Sequence, residues 1–148
     1  MNDNLRHFLD LIAYSEGTST IKNSDNGYNV IVGGRLFHNY ADHPRVTVYL
    51  QNLGVKSTAA GRYQIKSSIY DYYKCKLGLH DFGHEAQDTI AIQLIKECKA
   101  IVPIEKGDIA EAIKLCRSRW ASLPGAGYGQ HEQQLADLLD KFKTIEKA

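Results

Sequence analysis

Residues 1–17 read MNDNLRHFLDLIAYSEG, and their spacing sets the architecture of the chain. Leu5, Phe8, Leu9, Ile12 and Ala13 recur at i, i+3, i+4, i+7 and i+8, one face of an amphipathic helix. At ~100° per residue, Glu16 falls about 20° from Leu5 on the helical wheel. A carboxylate therefore projects from the apolar face at the helix's C-terminal end, where Gly17 is a stop signal. Burial makes an ionised glutamate costly, raises its pKa and keeps a proton on it near neutral pH. A general acid requires that state. The competing reading is a helix-end carboxylate tied to an arginine or a backbone amide.

Outward from this helix the period changes. Residues 27–40, GYNVIVGGRLFHNY, place two β-rich runs around Gly33-Gly34 and predict a hairpin with a tight turn. Residues 41–57 keep no period and read as a long loop with a short strand, the kind of loop that is commonly functional. Four helices are expected after that. KSSIYDYYKCKLG stops at Gly78, and HEAQDTIAIQLIKECK puts Ile90, Ala91, Leu94, Ile95 and Cys98 on one face. GDIAEAIKLCRSRWASL opens with Asp108 and Glu111 at capping-box spacing and stacks Ile109 through Trp120. The last helix carries Leu135, Leu138, Leu139, Phe142 and Ile145. The order predicts an α+β fold: an N-terminal helix, a small antiparallel hairpin or sheet, then a mainly helical lobe, with a cleft between them. With no repeat or linker, residues 1–148 read as one domain.

Composition narrows the function. The 148 residues are 43% hydrophobic and 24% charged, the balance of a globular chain. Formal charge is +2 over residues 1–74 and −1 over 75–148, so the clustered basic footprint of a nucleic-acid binder is missing. Cys75, Cys98 and Cys116 are an odd, sparse set that makes a poor disulfide framework. They point to synthesis in a reducing compartment and read as small core residues. The N-terminus interrupts its apolar stripe with charge, unlike a signal peptide, and is too short to span a bilayer. These features predict a chain made in the cytoplasm, without stable membrane insertion, that reaches any outside target by another route. A monomer is expected.

Several apparent motifs carry no chemistry. GVKST at 54–58 breaks the phosphate-loop spacing at Val55. His80 and His84 sit around a loop-like LHDFGH and lack further ligands, so no metal and no cofactor are expected. Ser15 and Ser57 lack evident partners for a hydrolase triad. His38 and His43 flank a loop and suit either a polar cleft or solvent.

Two stretches mix small residues, polar groups and aromatics in a way that a core does not need. STAAGRYQI, 57–65, sets Gly61 where a backbone can approach a ligand, followed by Tyr63 and Gln64. SLPGAGYGQ, 122–130, surrounds Tyr128 with glycines. A tyrosine packs on a sugar's C–H face while an amide bonds its hydroxyls and acetamides. The alternative for each stretch is an interhelix turn with a packing tyrosine. The candidate substrate-binding set is Tyr63, Gln64, Tyr128, Asn29, Ser57 and His38, beside catalytic Glu16.

GYNVIVGG, DHP, STAAGRYQ and above all WASLPGAGYGQ resemble the bacteriophage lambda endolysin family, from about residue 5 to residue 143. The resemblance implies a lysozyme-like fold and cleavage of the β-1,4 bond between N-acetylmuramic acid and N-acetylglucosamine in peptidoglycan, for host-cell lysis. It implies lytic transglycosylation with a 1,6-anhydromuramoyl product. It also implies an enzyme made in the host bacterial cytoplasm that acts on the wall in the periplasm after release by another factor. The family's catalytic glutamate lies in an S-E-G matched by Ser15-Glu16-Gly17. GRYQ is similar to the cleft-lining G-L-M-Q of bacterial lytic transglycosylases, which carries over Gln64, and Tyr128 is similar to the tyrosine of their A-Y-N-type loop. One position departs: the family pattern reads G-Y-D where this chain has Gly27-Tyr28-Asn29. Asn29 supplies hydrogen bonds but no charge, which favours a site run by one carboxylate. Two alternatives stand beside this reading. One is a hydrolytic muramidase with Asp25 or Asp42 as second carboxylate; the other is a non-catalytic peptidoglycan-binding module. Segments 43–57 and 124–133 are expected to act as mobile lips over the sugar site.

Overall fold

The computed structural model describes residues 1–129 and 131–148. The chain forms two compact units, one of residues 1–16 with 92–148 and one of residues 17–91. The first is helical. Helix α1 (Asp3–Glu16) starts at Asn2, whose side chain accepts the Asn4 N–H at 2.8 Å, and ends as Gly17 turns to φ 77°. Its predicted stripe is buried, and α1 packs on α4 (Ile101–Glu105) and α6 (Leu135–Lys147). Phe8 and Ile12 on α1 and Leu138 on α6 are fully enclosed, each such side chain stabilising the unit by ~1.5–3 kcal/mol. Helix α5 (Ile109–Cys116) is capped by Asp108, whose carboxylate accepts the Glu111 N–H, as its spacing predicts.

The structure corrects two helical expectations. Helix α4, with Pro103 near its start, lies outside the predicted helices. The run expected to continue from α5 through Leu123 ends at Cys116 and leaves in successive turns, with Arg119 N–H on Cys116 O and Leu123 N–H on Trp120 O. That exit places Ser122 outside any helix. Trp120 and Leu123 remain buried, so the apolar spacing survives the change in backbone.

The second unit holds α2 (Ser67–Leu77), closed by Gly78 at φ 67°, and the first half of α3 (His84–Glu97). The sheet is two-stranded and antiparallel, but lies elsewhere than predicted. Strand β1 (Val48–Leu50) pairs with β2 (Val55–Ser57), with Tyr49 opposite Lys56, inside the segment read as a loop with a short strand. Residues 27–40 do fold back at Gly33-Gly34 as predicted, with Phe37 N–H on Asn29 O, but they build no continuous strand because their other backbone bonds go to different partners. Val30 N–H bonds Gly27 O, Ile31 N–H bonds Arg35 O, and Val32 N–H bonds Ala59 O. Val30–Leu36 and Ile31–Ala60 survive as isolated bridges. Around them His43, Phe37, Tyr70 and Phe82 form an aromatic core, with His43 and Phe82 ring centres 4.8 Å apart. No helix among the described residues is long and apolar enough to cross a membrane.

Candidate active site

Glu16 is the last residue of α1, and Ser122, outside that helix, binds it. Ser122 Oγ donates to Glu16 Oε2, and a Ser122 backbone hydrogen bond reaches the same carboxyl. Ser15 Oγ lies 2.7 Å from Ser122 Oγ. Gln133 ties the two segments: its N–H bonds Ser122 O at 2.7 Å and its side-chain amide reaches Ser15 O at 3.4 Å. Desolvation pushes the Glu16 carboxyl above its ordinary value, and the Ser122 donors oppose it more weakly. The negative end of the α1 dipole acts in the same direction as burial. The group therefore holds a proton at higher pH than a surface glutamate while keeping donors ready for its ionised form.

Tyr128 belongs to the same unit. The residue is 55% exposed, and its hydroxyl donates to Ser118 O at 2.9 Å. Gly125 and Gly127 before it have positive φ, and their N–H groups bond the two oxygens of Glu132 at 3.0 and 2.9 Å. Gln130, the end of that predicted stretch, lies outside the described residues.

The remaining predicted residues lie in the second unit, and packing accounts for most of them. Tyr63 is 1% exposed, with its hydroxyl on Asp88 Oδ1 at 2.6 Å and on Arg62 Nη1 at 3.0 Å. Its ring has no face for a sugar, contrary to the sequence reading. Gly61 is likewise fixed by protein rather than ligand: a Cβ there would sit 2.3 Å from Gln87 Oε1. Asn29 is buried, and its Oδ1 accepts the Asp25 N–H at 2.8 Å. Ser57 Oγ accepts the Ala59 N–H, a local turn bond. His38 is exposed, whereas His43 is buried with Nδ1 accepting the Arg45 N–H, so Nε2 carries the proton donated to Ile65 O. Gln64 keeps partial exposure at φ 53°, held there by its side-chain amide on Val30 O and Gly61 O. A non-glycine residue rarely adopts that backbone, and such strain concentrates where a side chain must be aimed.

The two aspartates proposed as second carboxylates are both engaged. Asp25 Oδ2 accepts from Tyr40 at 2.7 Å and from His84 Nε2 at 2.5 Å, which holds its carboxyl below the usual range. His84 in turn stacks on Tyr28 at 3.9 Å. Asp42 shares the Arg45 guanidinium with Asp71 and is also lowered. Among the described residues no cluster of three or more His, Cys, Asp or Glu is placed to hold a metal. A cavity of about 400 Å³ beside α5, lined by Glu111, Arg117 and Leu135 among others, includes none of the predicted site residues.

Sequence reasoning missed three contributors: Ser122, Gln133 and Gln87. Gln87 is fully buried, donates to Tyr28 O and Phe82 O, and accepts the Arg62 N–H, so it fixes the backbone on either side of Gly61. The one sequence signal for Ser122 was its position in the SLPGAG turn.

The mainly helical chain, with its small two-stranded antiparallel sheet, has a lysozyme-like fold. The Endolysin family profile matches residues 6–146, and the chain belongs to that family. It is 51% identical to the endolysin of Escherichia phage lambda over 145 residues, covering 97% of this chain and 91% of that one. It is 44% identical to the endolysin of Escherichia phage P2 over 153 residues, covering 97% and 93%. Its fold matches bacteriophage lambda lysozyme complexed with a chitohexasaccharide at a TM-score of 0.95, with 49% identity over 99% of this chain and 96% of the other.

Proposed function

We propose that this chain cleaves peptidoglycan by lytic transglycosylation at the β-1,4 bond between N-acetylmuramic acid and N-acetylglucosamine, with Glu16 as acid and then base. The observation that carries the reading is Glu16 itself: a carboxyl raised by burial and still bonded by Ser122 serves both protonation states. Protonated Glu16 gives its proton to the glycosidic oxygen as the C1–O bond breaks. The electron pair leaves with the N-acetylglucosamine oxygen, and an oxocarbenium-like centre develops on the muramoyl sugar. Glu16, now ionised, takes the proton from that sugar's 6-hydroxyl as O6 bonds C1. The acid is regenerated, the product is 1,6-anhydromuramoyl, and no water is consumed.

A hydrolase would need a second carboxylate, ~5–5.5 Å away for retention or ~6.5–9.5 Å for inversion. The commitments of Asp25 to Tyr40 and His84, and of Asp42 to Arg45, support the one-carboxylate scheme. The chitohexasaccharide carried by the lambda relative supports a glycan strand as the ligand class. Tyr128, in the unit that holds Glu16, keeps exposed surface for it. The wall lies outside the compartment of synthesis, so the enzyme depends on another factor for passage.

Mass spectrometry of muropeptides from digested peptidoglycan tests this. Anhydro ends, lighter by one water than reducing ends and absent with Glu16→Gln, are expected. Reducing muramic acid ends would mean hydrolysis, and binding without released fragments would mean a non-catalytic module.

A further inference from the structure

We propose that Ser122 and Ser15 form a two-hydroxyl chain that positions the Glu16 carboxyl and reverses its hydrogen-bond direction as Glu16 passes from acid to base. The inference rests on the reading of Glu16 as the acid–base residue. Ser122 supplies both its hydroxyl and a backbone hydrogen bond to one carboxyl, and the Ser15 hydroxyl stands 2.7 Å behind it. Ser15 is 4% exposed, so water does not complete the chain on that side. Gln133 holds the backbones of both serines, which fixes the Oγ–Oγ spacing.

A hydroxyl has one hydrogen to give. With Glu16 ionised, Ser122 donates to the carboxylate, so Ser15 must donate to Ser122. With the proton on Oε2, Ser122 accepts it and turns its own hydrogen to Ser15. The Ser15 hydrogen then turns to a carbonyl one helical turn back, a bond that helical serines readily make. Within the serine pair only hydroxyl hydrogens rotate; the one proton transferred is that of Glu16, given to the glycosidic oxygen and regained from the 6-hydroxyl. A lone buried carboxyl would be well solvated in one state and orphaned in the other; the serine pair satisfies both. Other ionisable groups on the packed elements include His7 of α1, edge-on to Phe142 of α6 with its Nδ1 unbonded, besides Tyr14 and Glu132. Tyr14 of α1 lies 4.8 Å below Lys141 of α6, and Glu132 is bound by Gly125 and Gly127.

The test compares Ser122→Ala, Ser122→Thr and Ser15→Ala with wild type, reading kcat, KM and the pH profile on soluble glycan strands, with Glu16→Gln as control. Ser122→Ala is expected to lower kcat ~10- to 100-fold, the worth of one hydrogen bond to a charged group, with KM nearly unchanged. The basic limb of kcat/KM should move to higher pH, because the ionised form has lost a donor. Ser122→Thr keeps the hydroxyl and should restore kcat and the limb. Ser15→Ala should act in the same direction with a smaller loss. Carbon-13 titration of the Glu16 carboxyl reads the same shift independently of turnover. A Ser122→Ala enzyme with the wild-type kcat and titration overturns the proposal, as does a defect that Ser122→Thr leaves in place. Activity retained by Glu16→Gln would instead remove the underlying reading, whatever the serine variants do.

Discussion

At the scale of single residues, Glu16 exchanges stability for function. Its carboxyl is raised by burial, so the folded state binds that proton more tightly than the unfolded chain does. Between the two pKa values unfolding releases the proton, and stability falls as pH rises through the folded value. Glu16→Gln keeps the shape, cannot ionise, and still offers a side-chain oxygen to Ser122. The variant should therefore be inactive yet fold normally, and its stability relative to wild type should grow as pH climbs above the ordinary carboxylate range. Urea melts of both proteins at a series of pH values check this, and a constant difference across pH would show that Glu16 is not titrating from a buried state. Glu16 was legible in the sequence because helical spacing alone puts it on the apolar face. Ser122 was not, because its contact depends on where α5 ends, and the spacing of Cys116 and Trp120 fits a continuing helix as well as the turns that form.

Among elements, legibility followed how local the cause is. Helices α1, α2 and α6 came through from period and caps, since each is specified by residues three and four apart. The sheet did not. Its short strands at Val48–Leu50 and Val55–Ser57 are joined through Gly54, whereas the more β-rich run at 27–40 divides its backbone bonds between its own two arms and residues 59–61. Tyr63 and Gly61 misled for a related reason: Gln87, on a helix twenty-odd residues later, fills the space beside them. The segment after Trp120 shows a further local device. Glu132 grips Gly125 and Gly127 through both carboxylate oxygens, and those bonds hold its carboxyl below the usual value. A lowered pKa means that the grip persists above the ordinary carboxylate range and is lost as pH falls through the folded value. Glu132→Ala should speed hydrogen exchange at the Gly125 and Gly127 amides several-fold while leaving α6 unchanged. Equal exchange in variant and wild type would mean that the grip does not order the segment, and that it moves as freely as a lip over the sugar would.

For the whole molecule, charge and thiols set how the chain meets its surroundings. A net charge of +1, spread evenly along the sequence, gives little long-range pull toward an anionic wall, so recognition falls to the site. The three thiols are not the uniform core residues that their spacing suggested: Cys75 is exposed, Cys98 partly buried and Cys116 buried. Hydrogen bonding from Cys116 pulls the Cys98 thiol down to about 7, with Ser118 and Arg119 adding to the effect, while Cys116 is pushed up. Thiolate is the reactive form, so Cys98 is more reactive at neutral pH than its partial burial implies. Native protein treated briefly with iodoacetamide at pH 7 should gain two adducts, at Cys98 and Cys75, seen by intact mass and peptide mapping. The third, at Cys116, should appear only in denaturant. A labelling rate at Cys98 that rises with pH near 7 would fit its lowered pKa. Prompt native labelling of Cys116 would instead mean that the ends of α3 and α5 open readily, and that the thiol pair is no part of a closed core.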